Sequence, residues 1–350
     1  MMNVLQSIER PLVRTTADGN RVPTGTVTKQ YLEINGARQG MIIEDAGRDR
    51  PVLLFLHGLG FPAYPMIVAN DVRLEAYVTA CYWEQRGAGM SFDPKRAQDV
   101  LTVEEAVEDA LQVAQYLRST FSKSTILLMG HSWGTFLGSL VAQRAPELFC
   151  AYVGIGQIGS AMASERETYD FLLAEARRRG DDKALKELAS VPFTDEYYLN
   201  RRYGNVRAKY LERFGGGTRR SGYSMGQLFG QIMRCPVYSF PEKLSFFRGM
   251  EQAARSFLRP MATSDLTQLV PALEVPVFVL HGRHDYQTSH AQAERFFANV
   301  RAPYKRFFTF ENAAHTPHME EQERFYQILE EEVLPHCPPG TVAGAGATSA

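Results

Sequence analysis

The chain has little of what would mark it as a membrane protein, a metalloprotein or a nucleic-acid binder. Its 350 residues include only four cysteines, Cys81, Cys150, Cys235 and Cys337. They are scattered without metal-like spacing and read as free thiols in a reducing cytoplasm. No apolar run approaches the ~20 residues that cross a bilayer. Met1 to Pro11 contains Glu9 and Arg10 and no apolar centre, so neither a membrane span nor a signal peptide is expected. A net charge of -1 leaves no basic excess to neutralise phosphates, which argues against nucleic acid as a partner. Gly215-Gly216-Gly217 follows no apolar strand and lacks the lysine and hydroxyl residue of a phosphate loop. No metal and no cofactor are expected. What remains, 45% hydrophobic and 22% charged residues, is enough for one large core with a substantial insertion.

The most informative stretch is Ile126-Leu127-Leu128-Met129-Gly130-His131-Ser132-Trp133-Gly134. Four apolar residues enter Gly-x-Ser-x-Gly, and the sequence after it has the composition of a helix packed on a sheet. That context is a nucleophile elbow. A serine hydroxyl is a weak nucleophile at neutral pH and needs a base and nearby N–H donors. A side chain at Gly130 or Gly134 would crowd the turn, and the Trp133 N–H is placed to donate to an oxyanion.

Strands are expected at 27–34 and 39–44, joined by Asn35-Gly36 as a hairpin, with 1–25 as an N-terminal extension. The run 51–56 lacks alternation, as a central strand covered on both faces does. It ends in His57-Gly58-Leu59-Gly60, where the Leu59 N–H is the second expected oxyanion donor, Gly60 lies close behind at the substrate, and His57 orients the loop. After a strand at 76–83, Arg86 is expected to tie loop carbonyls to Glu84. Thr102 to Glu105 opens a helix with a capping box, and Glu104, Glu105, Glu108 and Asp109 read as its solvated first turns. Strands and helices alternate through 156, the signature of a mostly parallel sheet with helices on both faces.

That rhythm breaks between 157 and 266, where helices are expected at 164–179, 181–189 and 241–257. So long a segment reads as a helical cap inserted into a core of 26–156 and 267–335. Its aromatic residues, Tyr238 among them, pack the cap or line an apolar substrate pocket. The acids near its start, Glu165, Glu167 and Glu175, are candidates for meeting a substrate ammonium. Strands resume at 275–280, leading to His281-Gly282-Arg283-His284-Asp285, and at 304–310, leading to His315. An acid after one strand and a histidine after the next give the order Ser132, Asp285, His315, with His315 as base and Asp285 holding its tautomer. His318, one helical turn on, reads as packing for the last helix. Residues 336–350 are rich in Pro, Gly and Ala and are expected to be a disordered tail.

Taken together, His57-Gly58-Leu59-Gly60, Trp83-Glu84-Gln85-Arg86-Gly87-Ala88-Gly89-Met90-Ser91, Gly130 to Gly134, Asp285 and His315 resemble the α/β-hydrolase fold enzymes of the proline iminopeptidase-like group. The resemblance implies an aminopeptidase or amidase that acts through an acyl-enzyme on a small molecule or short peptide. Members of the group bind the substrate amine with acids of the cap. The chain departs from the group's His-Gly-Gly-Pro-Gly loop at Leu59-Gly60-Phe61 and carries Glu84 where the group has aspartate. A carboxylic-ester hydrolase with an apolar pocket under the same cap is the alternative. A non-catalytic binding protein would be a third class, in which the triad has normally decayed. Oligomeric state leaves no trace in the sequence.

Overall fold

The structure is a computed structural model that describes residues 3–16, 18–47 and 49–337. Its strands are β1 (Val4–Thr15), β2 (Arg21–Ile34), β3 (Ala37–Asp45), β4 (Val52–Leu56), β5 (Thr79–Trp83), β6 (Ile126–His131), β7 (Phe149–Ile155), β8 (Val277–Gly282) and β9 (Lys305–Phe310). They form one nine-stranded sheet in the order β1-β2-β3-β5-β4-β6-β7-β8-β9. From β5 through β9 all neighbours are parallel, whereas β1, β2 and β3 are antiparallel to one another and β3 is antiparallel to β5. Central β4 shows why its sequence does not alternate. Leu54 and Leu56 join the core beneath α2 (Val103–Thr120) and α3 (Trp133–Arg144), while Leu53 and Phe55 join the core on the opposite face. The expected capping box is present: the Thr102 hydroxyl accepts the Glu105 N–H and the Glu105 carboxylate accepts the Thr102 N–H.

Between β7 and β8 lie α4 (Ala161–Arg178), α5 (Asp182–Ala189), α6 (Arg201–Phe214), α7 (Met225–Arg234), α8 (Phe240–Ala262) and the short α9 (Leu266–Leu269). α4, α5 and α6 share their own small core of Leu172, Leu188, Tyr210 and Phe214. α7 and α8 instead pack onto the sheet's second core through Ile232 and Phe246. The remaining helices are the short α1 (Tyr64–Ala69), α10 (His290–Asn299), α11 (Pro317–Glu320) and α12 (Gln322–Ile328).

Several expectations need correction. Residues 4–15 and 21–25 are not an appendage: β1 and the start of β2 form a long hairpin on the sheet edge. Most side chains of β1 are exposed, so no alternating pattern announces it; one anchor is buried Arg14, whose guanidinium donates to Glu75 at 2.7 Å and Glu44 at 3.2 Å. Asp109 does not face water. It is buried and accepts two 2.8 Å hydrogen bonds from Arg86, which also reaches the Asn35 carbonyl at the β2–β3 turn. Arg86 therefore ties carbonyls together as expected, but its acidic partner is Asp109 and not Glu84.

The four cysteines are not all free. Cys150, at the start of β7, is bonded to Cys337, with a Cα–Cα distance of 5.2 Å across a sequence separation of 187, while Cys81 and Cys235 are buried thiols. Disulfides persist mainly in oxidising surroundings, so the compartment argument drawn from free thiols does not hold. Cys337 is fixed to the sheet; the rest of the expected tail, from residue 338, lies outside the described residues. Closing so long a loop stabilises the fold by roughly 2–5 kcal/mol in the chain-entropy account. Cys337→Ser is accordingly expected to lower the thermal midpoint by several degrees, as would reductant acting on the parent. An unchanged midpoint in scanning calorimetry would show that the bond is not formed.

Candidate active site

Ser132 sits where β6 turns into α3, with φ 57° and ψ -122°. A non-glycine residue holds that conformation only where its surroundings impose it. Here the imposition comes from close packing: a Cβ on Gly134 would lie 2.0 Å from the Leu56 carbonyl oxygen, and one on Gly130 would lie 2.2 Å from the Gly134 carbonyl oxygen. The elbow is thus pressed against the end of β4. The Ser132 N–H is tied to the Ile155 carbonyl at 3.0 Å.

Asp285 and His315 are brought together from the ends of β8 and β9. His315 Nδ1 lies 2.8 Å from Asp285 Oδ2, and the same carboxylate accepts the backbone N–H groups of Gln287 and Thr288 and the Thr288 hydroxyl. Burial pushes Asp285 up, but the His315 ring and these donors outweigh it and leave the carboxyl at about 2. An ionised Asp285 requires His315 to donate from Nδ1, which leaves Nε2 as the basic nitrogen. Ser132 and His315 both line one cavity of about 610 Å³.

Leu59 lines the same cavity, in a turn closed by the Phe61 N–H to the Gly58 carbonyl. Trp133 begins α3, where first-turn N–H groups have no acceptor within the helix. One small network holds both. The His57 Nδ1–H donates to the Gly58 carbonyl at 2.6 Å, and Nε2 accepts the Gln85 N–H at 3.0 Å. The Gln85 amide donates to the His57 carbonyl and accepts the Trp133 indole N–H at 2.8 Å. Trp133 stacks between Phe136 and Phe257. Burial drops His57 to about 4, which suits a neutral ring that orients the loop.

The expected substrate contacts fare differently. Gly60 has φ +61° and is buried against α8, where a Cβ would lie 2.5 Å from the Ala253 Cβ; it does not line the cavity. Glu165 is buried outside the cavity, accepting from the Tyr203 hydroxyl at 2.5 Å and Arg207 at 2.6 Å. Glu167 accepts from Ser289 and Gln292, and Glu175 pairs with Arg178 and Arg179. Tyr238 also stands outside the cavity, with its hydroxyl on Glu84 at 2.5 Å. Sequence reasoning missed the acid that does line the cavity, Glu212 of α6, whose carboxylate accepts the Thr218 and Tyr223 N–H groups at 2.8 Å. It also missed the use of the glycine triplet. The Gly216 carbonyl accepts the Tyr286 N–H beside the acid, and the Gly217 carbonyl accepts the His315 N–H. A run of glycines signals a close backbone approach but not what approaches. Among the described residues, no group of three His, Cys, Asp or Glu side chains is placed to hold a metal ion, and no helix is long and apolar enough to cross a membrane.

A mostly parallel sheet with this elbow defines an α/β hydrolase. The chain belongs to the Alpha/beta hydrolase family, which it matches over residues 53–328. Within that family it is proline iminopeptidase-like. It is 31% identical over 310 residues to a protein named Probable aminopeptidase YbaC from Bacillus subtilis (strain 168), covering 87% of this chain and 96% of that one. Its fold is shared with the proline iminopeptidase of Mycobacterium smegmatis, at a TM-score of 0.62 and 17% identity over 88% of this chain and 98% of the other. A thermophilic esterase from Thermogutta terrifontis shares it too, at 0.56 and 20% identity over 88% and 99%.

Buried histidines give the site a pH signature. Burial drops His57 and His281 to about 4, His131 to about 3, and His318 well below the ordinary value. Each folded pKa is depressed, so the associated stability is fully present above about 6.5 and is lost as pH falls toward 3. Burial raises Glu84 to about 7, and this works the other way: its contribution is present below the unfolded value and lost as pH rises through about 7. In urea unfolding between about pH 7 and pH 5, His57→Gln should therefore flatten the acid loss of stability, and Glu84→Gln should steepen it. Parallel curves for parent and both variants would contradict these assignments.

Proposed function

We propose that the chain is a serine hydrolase that works through an acyl-enzyme, and that it is an aminopeptidase or amidase of the proline iminopeptidase type. The observation that carries the mechanism is Ser132, held at a strained turn, opening on the same cavity as His315, whose other nitrogen is tied to ionised Asp285. Ser132 Oγ attacks the substrate carbonyl carbon while His315 Nε2 takes its proton. The resulting oxyanion is met by the Leu59 and Trp133 N–H groups. His315 then gives the proton to the leaving amine as the C–N bond breaks. Water, deprotonated by His315, attacks the acyl-enzyme, and Ser132 recovers its proton.

The helices inserted at 157–266 act as a cap that limits the substrate to a small molecule or short peptide. The relative named as an aminopeptidase favours amide cleavage, and Glu212 supplies a carboxylate on the cavity wall that can meet a substrate ammonium. The second reading, a carboxylic-ester hydrolase, is favoured by the apolar part of the wall, Leu59, Phe61, Met66, Met250 and Met319.

Ser132→Ala is expected to lower turnover by several orders of magnitude while leaving the fold intact, and an organophosphonate should label the parent at Ser132 alone by mass spectrometry. Turnover at the parental rate would remove the serine mechanism. Acetylating the amine of a good amino-acid arylamide should abolish its cleavage, because a wall carboxylate is then left without its cation. Equal kcat/KM for blocked and free substrates would favour the esterase and leave the serine mechanism standing.

A further inference from the structure

His318, on α11, lines the cavity beside Ser132 and His315 and is 1% exposed. It is packed among rings, with centroids 5.2 Å from His131, 5.9 Å from Phe325 and 6.4 Å from Phe55. Other histidines near the reaction centre are hydrogen-bonded: His57 to Gly58 and Gln85, His131 to the His315 carbonyl at 3.0 Å, His281 to Gln157 and Thr288. Neither ring nitrogen of His318 has a hydrogen-bond partner among the described residues. A buried imidazole carries one donor and one acceptor, and each left unmet costs about 1–3 kcal/mol. Phenylalanine would fill the same space among the same rings without that cost. Packing alone therefore does not account for a histidine here.

We propose that His318 is a specificity-determining residue that hydrogen-bonds an oxygen-bearing group of the substrate, a carbonyl or a hydroxyl, elsewhere on the acyl chain than the scissile carbonyl. The scissile oxygen already has donors in Leu59 and Trp133. An oxygen fits better than an ammonium, because the Arg219 guanidinium opposes positive charge at this ring. The Nε of Arg219 is itself buried without a partner among the described residues. Burial keeps the ring neutral, so it retains an N–H to donate and a lone pair to accept, and a hydroxyl can use both. An apolar chain at the same place would leave both nitrogens unmet.

The inference rests on the serine-hydrolase reading, and the test separates the two. Aryl alkylphosphonates of equal chain length are compared for their rate of labelling Ser132, one with a plain alkyl chain and the others with a single ketone oxygen at carbon 3, 4 or 5. In the parent, the best oxo probe should label at least about tenfold faster than the plain one, the effect of one buried hydrogen bond gained. In His318→Phe that ratio should fall to about one, with an unchanged far-ultraviolet circular dichroism spectrum and a cooperative thermal transition showing that the variant is folded. His318→Gln, which keeps a donor and an acceptor, should restore part of the preference. Labelling without oxo preference at any position, or a ratio unchanged in His318→Phe, would overturn the role of His318 and leave the serine mechanism intact. Absence of labelling at Ser132 in the parent would remove the mechanism and this inference with it.

Discussion

The close approach of the elbow to the end of β4 is the constraint on which the rest depends. With φ at 57°, Ser132 cannot relax toward an ordinary conformation, because Gly134 is already in contact distance of the Leu56 carbonyl and α3 is packed on the sheet behind it. The strain is sustained by a core in which β4, β6 and α3 are almost wholly buried. A hydroxyl raised in this way faces outward from the carboxyl ends of the strands, where the loops after β4, β8 and β9 also arrive. The position of the cavity follows from that placement.

Around the serine, polar groups are fixed by pairwise satisfaction rather than by charge. Gln85 joins the loop after β4 to the indole of Trp133, and His57 closes the same loop on Gly58. These are neutral hydrogen bonds in a dry setting, where an unmet partner would be expensive and a met one is rigid. The ionised member is Asp285, and it is surrounded by four donors from Gln287, Thr288 and His315. The inserted helices then lock this arrangement from above, since the carbonyls of Gly216 and Gly217 accept the N–H groups of Tyr286 and His315. The insertion is therefore part of the scaffold that holds the loops of Asp285 and His315 as well as a wall of the cavity.

Much of this was legible in the sequence because it depends on local pattern. The elbow, the hairpin at Asn35-Gly36, the capping box at Thr102 and the strands on either side of Asp285 follow from turn chemistry and hydrophobic runs only a few residues long. The pairing of Asp285 with His315 was legible because strand order fixes which loops meet. By contrast, Asp109 looked solvated among other acids on its helix, and it is the arrival of Arg86, Asn35 and Gln39 from other elements that explains its burial. Glu165 looked available for substrate until Arg207 and Tyr203, some forty residues away, claimed it.

By itself the sequence determined the sheet core, Ser132 at its turn and the placement of Asp285 and His315 after the strands that follow, since each is written in residues adjacent along the chain. Only the tertiary structure decided which acid reaches the cavity, that the glycine triplet grips the loops of Asp285 and His315, and that Cys150 and Cys337 are joined across a separation of 187 residues. The reason is the same in each case. A carboxylate, a carbonyl or a thiol takes whatever partner folding brings within about 3 Å or so, and that partner is set by the packing of distant elements and not by its neighbours in sequence.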